Sequence, residues 1–260
     1  MKSTLVLIKN LIMLKPTAAS LIENIVNIVL GRSSRRLILR DGIEVYAPGN
    51  HPLIEMTSEI FYQNSYSSNN LFFDGNGIVI DIGANIGIFS LLAARETKNL
   101  VYAFEPDPQN VYLLKKNLGA NNIKNVVVSE IAVCDDIGHK ELYLNSHPGG
   151  HSLFRQTKGN PRQKCLSVAT TTLRDIIDTN HLTAINFLKI DCEGSEGVIL
   201  QSTTIDYLQK INQIALEFHD NVSTLTHCQI QDLLHQAGFV TQLKWDCQGP
   251  FGFIYASQKR

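Results

Sequence analysis

From residue 78 onward, strand-like and helix-like segments alternate along this sequence. Such alternation is typical of βαβ units, in which helices cover a mostly parallel sheet. The predicted strands span residues 78–82, 100–104, 126–133, 186–190, 213–218, 239–245 and 251–256. Too few residues separate the last two for a parallel crossover, so they must be antiparallel. The sequence therefore predicts an α/β fold with a mostly parallel seven-stranded sheet and a C-terminal antiparallel hairpin.

The first 77 residues follow another pattern and are predicted to form an extension to a domain that spans residues 78–260. Apolar side chains recur at helical spacing up to residue 30, which predicts one or two amphipathic helices with Pro16 near the break. An Asp41-Gly42 turn joins two short strands into a hairpin. A helix with apolar side chains at Ile54, Met56, Ile60 and Phe61 is expected to follow.

The N-terminal helices are expected to pack either on the domain or on a second subunit. In the second case the protein would be a homo-oligomer. No uninterrupted apolar stretch approaches the roughly 20 residues that a transmembrane helix requires. Peripheral contact of these amphipathic helices with a membrane surface is the alternative.

Charge and cysteine content exclude several classes of protein. Lys and Arg total 23 and Asp and Glu total 24, so no global positive field favours nucleic acid as a partner. The five cysteines include no C-x-x-C pair, which fits neither a disulfide framework nor a thiolate zinc site. A cytoplasmic location is the expectation that follows, and the charge balance permits a small-molecule or carbohydrate partner.

A glycine-containing turn follows the first strand of the predicted sheet. The sequence there is D-I-G-A-N-I-G, which spans Asp81 to Gly87, and a helix is predicted from Ile88. Gly83 and Gly87 allow backbone angles and close approaches that a Cβ would block, and the helix N-terminus offers free N–H groups. A dinucleotide fingerprint would need further glycines where this chain has Asn85 and Ile88. The turn therefore favours S-adenosylmethionine over NAD, because Asp81 suits a cationic methionine group.

The second predicted strand ends in A-F-E-P-D-P, which places Glu105 about twenty residues beyond the turn, where cofactor ribose hydroxyls bind in nucleotide-binding sheets. A carboxylate accepts hydrogen bonds from two adjacent hydroxyls more strongly than a neutral group does. Glu105 is therefore the predicted ribose ligand.

Four sequence blocks in order, D-I-G-A-N-I-G, A-F-E-P-D-P, L-K-I-D-C-E-G-S-E and A-L-E-F-H, resemble the FkbM-type methyltransferases over about residues 78–220. This resemblance implies a Rossmann-like class I methyltransferase fold, S-adenosylmethionine as donor, and methylation of hydroxyls on sugars, polyketides or similar metabolites. It also implies cofactor-binding roles for a set of residues. These are Asp81, Gly83, Asn85, Gly87, Glu105 and, near the adenine, Ala132.

One position departs from that family. Its members commonly have T-T-L-D before the fourth strand, whereas this chain has Arg174 in place of the carboxylate, with Asp175 next to it. A role for that carboxylate is therefore not expected at residue 174.

Ionisable residues crowd the ends of the fourth and fifth predicted strands, where open α/β sheets bind ligands. Lys189 and Asp191 share a strand face, as do Glu217 and His219. A hydroxyl acceptor needs orientation and a base. His219 is the first candidate for the base because its ordinary pKa is near neutrality, and Asp191 assists or replaces it. Lys189 either holds acceptor oxygens or neutralises Asp191 and Glu217.

Glu193 and Glu196 are expected only to favour a helix N-terminus. Asp191, His219 and Asp220 could supply oxygen and nitrogen ligands to a divalent metal, but no local ligand motif supports one, and none is predicted.

A polar segment extends from His147 through His151 to Arg162 and is expected to form either a lid over the acceptor or an exposed loop. Tyr62 and Tyr66 either cap the same pocket or pack beneath it.

The leading function is thus an S-adenosylmethionine-dependent O-methyltransferase. An NAD-dependent, sugar-modifying oxidoreductase and a non-catalytic, cofactor-binding interaction protein are the alternatives.

Overall fold

A computed structural model describes residues 4–49, 51–66, 75–145, 148–155, 163–245 and 249–259. The helices are α1 Thr4–Met13, α2 Ala18–Val29, α3 Leu53–Phe61, α4 Ile88–Glu96, α5 Pro108–Ala120, α6 Leu173–Thr179, α7 Glu196–Ser202, α8 Ile205–Leu208 and α9 His227–Gln236. The strands are β1 Arg36–Ile38, β2 Glu44–Tyr46, β3 Val79–Ile82, β4 Val101–Phe104, β5 Val126–Ser129, β6 Ala132–Cys134, β7 Gly138–Tyr143, β8 Cys165–Thr172, β9 Ile185–Ile190, β10 Ile211–His219, β11 Phe239–Lys244 and β12 Phe251–Gln258.

The main sheet has seven strands in the order β11-β12-β10-β9-β3-β4-β5. The four pairings among β5, β4, β3, β9 and β10 are parallel, and β12 runs antiparallel to both β10 and β11. The predicted mostly parallel sheet with a C-terminal antiparallel hairpin is therefore confirmed.

Two apolar cores cover the two faces of this sheet. In β3, Val79 belongs to the core that includes α4, α5 and the N-terminal elements, whereas Ile80 and Ile82 belong to the core beneath α6, α7 and α9. This division follows from the alternation of side chains along a strand. The polar residues of β3 and β9 that share a face with Val79, namely Asp81 and Lys189, consequently lie on the face that the N-terminal elements cover.

The N-terminal residues form the predicted elements. Pro16 lies between α1 and α2, and Gly42 has a φ of +89° in the turn of the β1–β2 hairpin. Buried side chains of α1, β1 and α3 join the same core as α4. The division into two domains at residue 77 stays a prediction.

One predicted strand was wrong. Residues 126–133 form two strands, because the chain turns at Glu130-Ile131 and β6 leaves the main sheet. There β6 pairs with β8, which also pairs with β7, and this three-stranded sheet was not predicted. Apolar residues on both sides of the polar pair Ser129-Glu130 concealed the change of sheet. In the part of the chain that the structure describes, no helix is long and apolar enough to cross a membrane.

Candidate active site

The glycine turn connects β3 to α4 at the carboxyl edge of the sheet. Gly83 has a φ of +75°, and a Cβ placed there would lie 1.8 Å from the carbonyl oxygen of Asp191. Gly87 has a φ of +85°, and its Cβ would lie 2.8 Å from Cγ of Leu114. Backbone conformation and space therefore both require glycine at these two positions.

Asn85 also has a positive φ, of 52°. Its backbone N–H donates to Oε2 of Glu105 at 2.8 Å, and its Oδ1 lies 3.1 Å from Nε2 of His51. Burial is the main factor that lowers the pKa of His51. Sequence reasoning missed His51, since a lone histidine outside any motif gives no local signal of this contact.

Glu105 follows β4 and is almost completely buried. Its Oε1 accepts hydrogen bonds from the Asp107 backbone N–H at 3.0 Å and from Nδ2 of Asn110 at 3.2 Å. Burial raises the pKa of Glu105, and these donors oppose that effect. The donors fix the position of the carboxylate that the sequence assigned to the ribose.

A pocket opens between the glycine turn and the end of β4. It is lined on one side by Gly83, Asn85 and Glu105 and on the other by Ala132 and Val133. Four of the six predicted cofactor residues therefore border one pocket. A turn that excludes a Cβ and a fixed carboxylate suit the backbone approach and the ribose hydroxyls of an adenosyl cofactor.

The other two predicted cofactor residues support this pocket. Gly87 is the N-cap of α4. Asp81 has no exposed surface, and its Oδ2 accepts a hydrogen bond of 2.6 Å from Oγ of Ser90. Its other oxygen, Oδ1, lies 3.1 Å from Nζ of Lys189. Asp81 is thus arranged to orient the turn.

Lys189 lies opposite Asp81 in the register of β3 and β9. Its ammonium donates hydrogen bonds to the carbonyl oxygens of Gly83 at 2.6 Å and Ile82 at 3.3 Å. Burial alone would lower its pKa, but the carboxylates of Asp81 and Asp191 outweigh that effect, and the pKa is raised. Two hydrogen bonds to carbonyl oxygens and an ion pair with Asp81 favour a charge-neutralising role for Lys189 over contact with an acceptor.

Asp191 and Glu217 lie next to each other because β9 and β10 are paired, with Ile190 opposite Leu216. The hydroxyl of Tyr66 lies 2.7 Å from Oδ2 of Asp191 and 3.5 Å from Oε2 of Glu217. Burial and then the charge of Asp191 raise the pKa of Glu217 well above its ordinary value. Tyr66 itself is buried and packs edge-on against Phe89.

His219 has a different environment from the one that sequence reasoning assumed. Its Nδ1 lies 3.1 Å from Oε1 of Glu196, and its Nε2 lies 3.6 Å from Oε2 of Glu193. Burial lowers its pKa, but the charges of Glu196, Glu193 and Asp191 dominate and raise it to about 10. The ring is therefore a cation at neutral pH, and the structure disfavours its predicted role as a base.

Glu196 does more than favour a helix N-terminus, which was the only role expected of it. Glu196 begins α7, as expected of an acidic residue at a helix N-terminus, but it is fully buried and binds the His219 ring. Its oxygens also accept hydrogen bonds from the backbone N–H groups of Cys192 and Gly194. Glu196 therefore fixes both the histidine and the turn after β9.

The group weighed for a metal is not the one that comes together. Asp220 pairs with His227, with 2.6 Å between Oδ2 and Nδ1. Asp191, Glu196 and His219 instead offer ligand atoms that all lie within 4.8 Å of one another. Because backbone N–H groups already occupy the oxygens of Glu196, we assign no metal there, and a metal-free reaction stays a prediction.

The segment that follows β7 borders the cofactor pocket. Nε2 of His151 lies 3.1 Å from Oδ2 of Asp107, and its Nδ1 accepts a hydrogen bond of 2.9 Å from the backbone N–H of Asn145. Gly149 and His151 line the pocket, which favours a cover over an exposed loop. His147 and residues 156–162 lie outside the described residues.

The two tyrosines and the Arg174-Asp175 pair named from the sequence have different surroundings. Tyr62 is about half exposed and lines a separate groove beside Lys15, whereas Tyr66 reaches the acidic residues. Arg174 is exposed and lies 3.6 Å from Asp178. Asp175 lies in the first turn of α6, where its backbone N–H donates to Oγ1 of the N-cap residue Thr172 and its carboxylate accepts a hydrogen bond from Thr171.

The sheet order, the glycine turn and the carboxylate after β4 together define a class I, Rossmann-like methyltransferase that uses S-adenosylmethionine. Residues 81–241 match the model of the methyltransferase FkbM domain. The chain belongs to this family, which decides against the oxidoreductase and the non-catalytic alternatives.

Curated relatives carry related names. Methyltransferase 1 of Beauveria bassiana is 23% identical, over 80% of this chain and 90% of its own length. The 31-O-demethyl-FK506 methyltransferase FkbM of Streptomyces tacrolimicus is 27% identical, over 72% of this chain and 82% of its own. The hexuronic acid methyltransferase AglP of Haloferax volcanii is 24% identical, over 64% of each chain.

Proposed function

We propose that this methyltransferase is an O-methyltransferase whose acceptor is a hydroxyl of an uncharged sugar or secondary metabolite. The observation that carries the proposal is a second pocket that shares Gly83 and Asn85 with the cofactor pocket and is lined by carboxylates. These carboxylates belong to Glu59, Asp191, Glu193 and Glu217. An acceptor bound there would lie beside the cofactor and against groups that accept hydrogen bonds from hydroxyls.

Residues of the first pocket are assigned to the cofactor. Gly83 and Asn85 would present backbone to it, Glu105 would accept hydrogen bonds from its ribose, and Ala132 would contact its adenine. When bound, S-adenosylmethionine supplies a methyl group already activated by a sulfonium sulfur. The protein's own residues then have to orient the acceptor and take its proton.

We assign the proton-accepting role to Glu217. His219 is cationic at neutral pH and is not among the described residues that line the second pocket, whereas Glu217 and Asp191 both line it. Burial and a neighbouring carboxylate raise the pKa of Glu217, so its ionised form, the only form that can accept a proton, is a stronger base than an ordinary carboxylate. The Tyr66 hydroxyl, which donates to Asp191, positions the pair.

The lining of the second pocket indicates the class of acceptor. Met56, Ile60 and Phe89 supply apolar walls beside the carboxylates, a combination that suits a ring with an apolar face and several hydroxyls. The names of two relatives specify a demethylated FK506 and a hexuronic acid as acceptors. Because four carboxylates and one ammonium group, that of Lys189, line this pocket, its net negative charge disfavours an anionic acceptor. We therefore expect this chain to differ from AglP and to methylate neutral sugars in preference to uronic acids.

The experiment is methyl transfer from S-adenosylmethionine carrying a ¹³C-labelled methyl group to matched pairs of neutral sugars and their uronic acids. NMR of the product distinguishes a methyl group on oxygen from one on nitrogen or carbon. We expect an O-methyl product from the neutral member. Glu217→Gln should lower kcat by about 100-fold or more and leave cofactor affinity, measured by calorimetry, unchanged.

The control is Glu130→Gln, which changes an exposed carboxylate outside both pockets. It should keep full activity. A product methylated on nitrogen or carbon, or full activity in Glu217→Gln, would overturn the proposal. The cytoplasmic location and a homo-oligomeric state stay predictions.

A further inference from the structure

Helix α2 exposes more apolar surface than an ordinary surface helix. Leu21, Ile25 and Ile28 pack against the core, but the two buried side chains are polar, Ser20 and Asn24. Three further apolar side chains face outward beside Glu23, with Ile22, Val26 and Val29 exposed by 65%, 48% and 68%. A helix on a soluble domain normally turns its apolar stripe inward.

Specific hydrogen bonds hold α2 in this orientation. Oγ of Ser20 accepts a hydrogen bond of 3.0 Å from the backbone N–H of Ile38, and Nδ2 of Asn24 donates to the carbonyl oxygen of Arg36 at 3.1 Å. These contacts use the edge of the β1–β2 hairpin. These hydrogen bonds hold the polar face of α2 against the hairpin. Rotation of the helix to bury its exposed apolar side chains would leave the buried polar groups without partners.

Helix α1 packs against α2 and adds apolar side chains to the outside. Leu5 and Ile12, seven residues apart and so on one face of the helix, are both mostly exposed, with Lys9 between them. We call the combined surface the N-terminal apolar face. It comprises Leu5, Ile12, Ile22, Val26, Val29 and Leu30.

Charge identifies the occupant of this face. Residues 1–40 contain seven Lys and Arg and one acidic residue, Glu23, whereas residues 41–260 contain 16 Lys and Arg and 23 Asp and Glu. Lys9, Lys15 and Arg32 are exposed in this N-terminal part. Exposed apolar side chains with basic neighbours fit the interfacial region of an anionic bilayer. A second copy of the same face would instead place positive charge against positive charge.

We propose that the N-terminal apolar face docks on anionic lipid membranes, with α1 and α2 lying along the surface. This docking is independent of the methyl transfer proposed above. Apolar side chains would enter the boundary between headgroups and acyl chains, while the basic residues contact lipid phosphates. The main sheet and its two pockets would remain outside the bilayer.

The test is flotation of the full chain with vesicles of phosphatidylcholine alone and of phosphatidylcholine with phosphatidylglycerol. We expect binding to the anionic vesicles that weakens as salt is raised. Ile22→Asp should weaken that binding about tenfold or more, because it replaces an inserted apolar side chain with a charge that the lipid repels. The reversal Arg32→Glu should weaken it by about fivefold or more.

The matched control is Ile137→Asp, since Ile137 is 67% exposed and lies outside the N-terminal helices. It should bind vesicles like the wild type, and all three variants should bind S-adenosylmethionine with unchanged affinity. Absence of binding to anionic vesicles, or equal loss in Ile22→Asp and Ile137→Asp, would overturn the proposal. A dimer in solution that Ile22→Asp dissociates would overturn it in favour of a second copy.

Discussion

The cationic state of His219 predicts a specific pH dependence of stability. Its pKa is raised from 6.5 to about 10 in the folded protein, so the native state binds the proton more tightly than the unfolded chain does. At about 1.36 kcal/mol per pKa unit, the raised pKa adds at most about 5 kcal/mol to the free energy of unfolding. The contribution is complete below pH 6.5 and is lost as pH rises through about 10. We expect it to fall by about 3 kcal/mol between pH 7 and pH 10.

The measurement is the free energy of unfolding in urea for the wild type and His219→Gln across this pH range. Glutamine can keep a hydrogen bond to Glu196 but carries no charge. The difference between the two proteins should be largest below pH 7 and should shrink toward pH 10, while groups common to both cancel. Parallel curves, or a ring titration by NMR centred near pH 6.5, would refute the argument and restore His219 as a candidate base.

Three further variants test the pockets. Gly83→Ala should abolish S-adenosylmethionine binding in calorimetry, because the new Cβ would collide with the Asp191 carbonyl. The control is Gly31→Ala, which should retain binding, because Gly31 also has a positive φ but a Cβ there would have no atom within 4 Å. Glu105→Gln should weaken cofactor binding by about 10- to 100-fold through loss of charge-assisted hydrogen bonds, and unchanged affinity would contradict its ribose role. Tyr66→Phe should lower kcat by about tenfold or more with little change in cofactor affinity, because the carboxylate pair loses its hydroxyl donor; the half-exposed Tyr62→Phe is its control, and equal effects would contradict the assignment.

Local sequence patterns were sufficient to place the glycine turn between β3 and α4. Gly83 and Gly87 follow a buried strand and precede a helix, and a tight turn with positive φ needs glycine whatever the rest of the chain does. Glu105 was found from its distance along the chain, because the spacing of a βαβ unit fixes which residue ends the next strand.

Patterns of the same kind failed at residues 126–133. Two apolar segments separated only by Ser129-Glu130 are compatible with one long strand and with two strands in different sheets. The pairing of β6 with β8 involves residues that lie more than thirty positions further along the chain, and no local signal reports it.

The alternation of strands and helices, the glycine turn after β3 and the ionisable residues at the strand ends could all be predicted from the sequence. These follow from periodicity and backbone geometry, which act over a few residues. Three features depend on the folded structure. These are the protonation of His219, the hydrogen bond from Lys189 to Gly83, and the contact between Tyr66 and Asp191, which are 125 residues apart. The physical reason is that burial and the Coulomb interaction act through space, so the state of each group depends on neighbours that the chain brings together only when it folds.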